Sequence, residues 1–183
     1  LSVVVAFEAW SNALGLGAPV GPHWLRVVAI IGVGVCAVMV VTGAVATASG
    51  PHPGASSDVE RLGLGIRDTV YVHVRVAAAY GIGFLLVSWQ LLRARREAAG
   101  VLRLAGVLLV VLVAQMVVGE VQYRNALPWG LVLVHVALAA TIWALTVAIA
   151  YALWRPPAPL AARAAAAAES TERDKARLEQ AHP

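Results

Sequence analysis

The chain has 183 residues and a formal net charge of +4, with 60% apolar and only 13% charged residues. Soluble globular chains carry roughly 25% charged residues, so this composition fits lipid rather than water as the main solvent. A single cysteine, Cys36, excludes an internal disulfide framework or thiolate metal site and reads as a small apolar packing residue; the positive charge calls for no nucleic-acid partner, because topology accounts for its distribution.

In chain order, Leu1 to Trp10 read as the tail of a helix that began upstream, so the chain is expected to be the later part of a longer membrane protein. Four segments then approach the roughly 20 apolar residues that cross a bilayer. Val27 to Ser49 carries no charge, Thr69 to Leu92 only Arg75, Leu104 to Tyr123 only Glu120, and Ala126 to Trp154 none. The expected fold class is all-α, an integral membrane four-helix bundle. Residues 1–22 are expected to be the end of the upstream helix and a linker, 23–155 the four-helix domain, and 156–183 a tail running from an alanine-rich stretch into mixed charge.

Arginine is retained on the cytoplasmic side of membrane helices. Arg26, Arg93, Arg95, Arg96, Arg103, Arg155 and Arg163 fall on one side, against Arg61, Arg67 and Arg124 on the other. This places the 93–103 loop and both chain ends in the cytoplasm, with the 50–68 loop and the 124–129 turn outside.

Ionisable residues inside membrane spans are functional hypotheses by default. His73 lies about four residues, roughly 6 Å, below the point where the second span enters near Thr69. His135 lies at about the same depth on the fourth span, which enters from the same side. Two depth-matched imidazoles facing each other across a bundle are a common way to hold haem iron. Each alone also reads as a buried polar residue hydrogen-bonded across the bundle, and a two-histidine site for zinc or another transition metal is the competing ligand reading. Small residues beside this level suit a flat ring: Ala77 and Gly81 on the His73 face, Ala139 below His135, Gly43 and Ala46 in the first span, and Gly119 in the third.

A polar layer surrounds the same level: Thr42, Thr47, Arg75, Gln115, Glu120 and Gln122. Arg75 reads either as a cationic partner for haem propionates or as half of an Arg75–Glu120 ion pair holding two helices in register. His52, in Ser49-Gly50-Pro51-His52-Pro53-Gly54, reads as turn chemistry with an exposed imidazole; an alternative sets it over the haem edge. His23 and His182 carry no functional expectation. A faint repeat links Thr42-Gly43-Ala44-Val45 with Val118-Gly119-Glu120-Val121, each at the end of a span and each followed by a connection and a histidine. Two hairpins of one design would set His73 and His135 face to face.

These residues resemble the C-terminal half of the haem A synthase family, over about residues 24 to 154. The densest part is Val41-Thr42-Gly43-Ala44-Val45-Ala46-Thr47-Ala48-Ser49-Gly50-Pro51-His52, where the family has a T-G-x-x-V-T-x-x-G-P-H pattern, followed by Arg61-Leu62 and His73. The second anchor is Gly119-Glu120-Val121-Gln122-Tyr123, then Leu127-Pro128 and Leu131-Val132-Leu133-Val134-His135. The resemblance implies half of an eight-helix, two-fold repeated enzyme that oxidises the C8 methyl of haem O to a formyl group, giving haem A for terminal oxidases. It implies a b-type haem between His73 and His135, with the substrate haem and catalytic glutamate in an N-terminal half. Such a chain alone binds haem without completing the reaction. Its implied surroundings are the lipid of a bacterial plasma membrane, that N-terminal half, haem O, a haem O synthase and an electron donor. Arg75 departs from the small or acidic residue common two positions after the first histidine. A stand-alone membrane cytochrome b, acting only in electron transfer, is the alternative of a different class; a transporter or assembly factor with structural histidines is another.

Overall fold

The computed structural model describes residues 2–14, 19–50, 63–95, 98–155 and 173. Five helices account for nearly all of them: α1 (Ser2–Leu14), α2 (His23–Ala48), α3 (Ile66–Arg93), α4 (Ala99–Arg124) and α5 (Trp129–Trp154). There is no strand among the described residues. A chain in hydrocarbon must satisfy its backbone polar groups internally, and an α-helix does so within one segment. None of α2 to α5 contains a proline, and all four are long and apolar enough to span a membrane. The protein is an all-α, multi-pass membrane bundle.

The helices run past the limits expected from hydropathy. α2 begins at His23 rather than Val27, directly after Pro22; α3 takes in Arg67 and Asp68; α4 begins at Ala99 and includes Arg103. Charge ends an apolar window but not a helix, because a terminal arginine or aspartate reaches the polar interface while its backbone stays hydrogen-bonded. At α5 the difference has the opposite sign. The helix begins at Trp129, since Ala126 and Leu127 adopt left-handed φ values of 57° and 55° and Pro128 caps the next turn. Leu127 N–H donates back to the Gln122 carbonyl at 2.8 Å, closing a tight α4–α5 connection. α1 continues four residues beyond Trp10 and packs against α5, with Phe7 edge-on to Tyr151.

The broadest helix contacts are α2 with α3 and α4 with α5, so the unit is two antiparallel hairpins. They join chiefly through α2 and α5; α3 and α4 touch sparsely, and the diagonal pairs α2–α4 and α3–α5 make no close backbone approach among the described residues. The two ends of this bundle differ. The end carrying the 94–98 connection holds the core: Leu25, Ala29, Cys36 and Met39 of α2, Tyr80, Val87 and Leu91 of α3, Val101, Ala105 and Leu108 of α4, and Ile142, Ile149 and Leu153 of α5. Among the described residues the opposite end contributes only Ala46, Gly50, Gln122 and Leu127 to the buried set. His73 and His135 lie at that loosely packed end.

Aromatic and cationic groups mark both rims. Arg26 stacks over Trp154 and Arg93 over Trp89, each with its guanidinium carbon 5.0 Å from the ring centroid. Tyr71, Tyr123 and Trp129 are exposed at the histidine end. Such belts sit where the apolar slab meets the headgroups.

Candidate functional site

His73 falls seven residues after the start of α3 and His135 six after the start of α5, so both lie about 10 Å inside their helices. For His73 that is deeper than the 6 Å expected, because α3 begins at Ile66 rather than near Thr69, and the two depths still match. α3 and α5 are diagonal in the bundle. Both imidazoles are half-buried.

Each ring rests on a glycine of the neighbouring helix in its own hairpin. A Cβ placed on Gly43 would lie 3.0 Å from Cε1 and 3.3 Å from Nδ1 of His73. A Cβ on Gly119 would lie 3.1 Å from Cε1 and 3.6 Å from Nδ1 of His135. Both glycines thus admit an imidazole at close range. Gly81, read with them as suiting a flat ring, faces open space. The repeat read from Thr42-Gly43 and Val118-Gly119 thus has a structural counterpart, the same glycine–histidine contact made twice.

Around the contact the two copies diverge. Thr42 Oγ1 lies 3.2 Å from His73 Nδ1, and also 2.9 Å from the Val38 carbonyl and 3.0 Å from the Met39 carbonyl. Carbonyls cannot donate, so the one hydroxyl hydrogen serves them, and the bond to histidine must come from an Nδ1–H. His73 is thereby the tautomer whose Nε2 carries the free lone pair. In the second hairpin Val118 occupies the place of Thr42, and His135 Nδ1 is buried without a hydrogen-bond partner. Gln115 and Gln122, spaced on either side of Gly119 along one face of α4, bring buried Oε1 atoms that are likewise unpartnered. Orphaned buried polar atoms are uncommon in folded chains, and three gather near this level.

The expected Arg75–Glu120 ion pair does not form. Glu120 Oε1 accepts from Nε of Arg124, four residues on along the same helix, at 2.5 Å. α3 and α4 are too sparsely in contact to favour the longer reach. Arg75 is exposed, with its guanidinium carbon 3.2 Å from the Tyr71 ring centroid. Among the described residues no three His, Cys, Asp or Glu side chains gather as a metal cluster. His23 is edge-on to Trp154 at 5.6 Å, a packing contact at the far end. His52, Asp58, Glu60, Arg61, Leu62, Arg96, Arg163 and His182 lie outside the described residues.

Sequence reasoning missed a buried polar contact in mid-bundle. Tyr80 Oη and Thr146 Oγ1 are 2.5 Å apart; Thr146 donates its hydrogen to the Ile142 carbonyl at 2.7 Å, so the tyrosine donates to Thr146. Tyr80 is two helical turns from His73 on one face of α3, a spacing that could have drawn attention to it. No protein-family model, curated protein or solved structure matches this chain.

Proposed function

We propose that the bundle is a haem-binding membrane domain, with His73 and His135 as the two axial ligands of a b-type haem and a role like that of the C-terminal half of haem A synthases. The observation that carries this reading is the twofold glycine–histidine contact: two imidazoles, brought to one depth by diagonal helices and each seated on a glycine. A pair of neutral imidazoles is a donor set suited to haem iron, and the thin α3–α4 contact leaves the histidine end to be filled by something other than its own side chains. Close packing is the rule in protein interiors, so a bundle packed at one end and open at the other fits a ligand-binding unit.

On this reading Nε2 of each histidine ligates iron. Arg75, exposed and two residues along α3 from His73, offers a cation for a propionate. A haem held by His73 and His135 would supply one-electron chemistry. The domain supports the oxidation of the haem O methyl in an enzyme whose other half binds that substrate, in a bacterial plasma membrane with the arginine-rich end cytoplasmic. Haem O synthase and an electron donor are its further partners.

The test is a reduced-minus-oxidised spectrum of the purified chain, beside His73→Ala and His135→Ala. A sharp b-type α band, lost or turned high-spin in either variant, is the expected result. A folded wild type that stays colourless after haem reconstitution would remove the reading.

A further inference from the structure

Taking the haem reading as its basis, we infer that Thr42 is a positioning residue that makes the two axial ligands unequal. Its hydroxyl is fixed by the Val38 and Met39 carbonyls, so the lone pair it turns to His73 has a set direction. The Nδ1–H of His73 donates into that lone pair at 3.2 Å. This sets the tautomer, holds the ring plane against Gly43 and gives the imidazole some imidazolate character, which strengthens it as a ligand to ferric iron. His135 has the same glycine seat without the hydroxyl, because Val118 stands where the first hairpin has Thr42. One ligand is therefore locked and electron-rich, the other held by packing alone. The Thr42 bond to His73 favours the oxidised state and lowers the midpoint potential below that of a site with two unsupported imidazoles.

The test uses the full chain in detergent or nanodiscs, with potentiometric titration and low-temperature EPR of the ferric form. Thr42→Val keeps the shape and removes the acceptor. Its midpoint is expected to rise; a tenfold loss of preference for ferric iron corresponds to about 59 mV for one electron. The low-spin g-values should change as the His73 ring is freed, and haem affinity should fall by about tenfold or more. Thr42→Ser restores the hydroxyl and should restore both readouts, which a purely structural role for the methyl group would not do. Val118→Thr supplies the missing acceptor and should lower the midpoint. If Thr42→Val fails to accumulate, Thr42→Ala against Thr42→Ser makes the same comparison. A wild type with bis-histidine EPR, but unchanged midpoint and g-values in Thr42→Val or Thr42→Ala, overturns the inference and leaves the haem reading standing. A wild type with no low-spin haem removes the reading and the inference with it.

Discussion

At the end of the bundle that carries the 94–98 connection, Leu25, Leu91, Leu108, Ile142 and Leu153 are essentially sealed from the surroundings. At the histidine end the inward positions are held by Gly43, Gly119, Thr42, two glutamines and two half-buried imidazoles. The helices are the same, and so is the lipid around them; the difference lies in side-chain volume and in what the polar atoms can reach. In a membrane, helix association rests on packing and interhelical hydrogen bonds rather than on the hydrophobic effect. The packed end therefore holds the bundle together, and the other end is free to be shaped for chemistry.

The sharpest way to break this division is to fill the glycine seats. In Gly43→Val or Gly119→Val the new side chain begins 3.0 or 3.1 Å from an imidazole carbon, so the ring must shift, and the two branch methyls add to the displacement. On the proposed haem reading, haem content after reconstitution should fall strongly while the protein still extracts and folds. Gly81→Ala, whose Cβ meets nothing within 4 Å, should leave the spectrum unchanged, and an equal loss there would deny the seats any special standing. At the opposite end, Leu91→Ala or Leu153→Ala removes a fully buried side chain and should cost about 2–5 kcal/mol in unfolding titrations. The haem spectrum of the folded fraction should stay as it was. Tyr80→Phe, between the two regions, deletes the donor to Thr146. A loss of about 0.6 kcal/mol, with about 1.7 as an upper bound, is expected from interhelical hydrogen bonds in membranes. The smallest effect belongs to Glu8→Gln, which breaks the surface ion pair with Arg155 at 2.7 Å; a change below about 1 kcal/mol in the same assay is expected.

Much of this molecule was legible from hydropathy alone. Four spans followed from four apolar runs, and the match in depth between His73 and His135 followed from counting turns. The limits of the helices were less legible: Arg67, Asp68 and Arg103 interrupt an apolar window without interrupting a helix. The Ala126–Leu127 turn was invisible, since neither residue type announces a left-handed backbone. Arg75 and Glu120 had opposite charges at similar depth, which made an ion pair reasonable on paper. The intrahelical Arg124 satisfied Glu120 first, at a spacing that helix geometry guarantees.

Composition determined the solvent, the helical class and the number of spans, because an apolar run in lipid has few ways to satisfy its backbone. The sequence also placed the histidine pair, since depth along a helix is a matter of counting. Tertiary packing decided which helices would be diagonal, that glycine would meet imidazole in both hairpins, and that Thr42 would reach Nδ1 of His73 while His135 went without a partner. Those outcomes depend on how α2 turns against α3 and α4 against α5. A rotation of one helix by a single residue, about 100°, would have brought a different side chain to each ring.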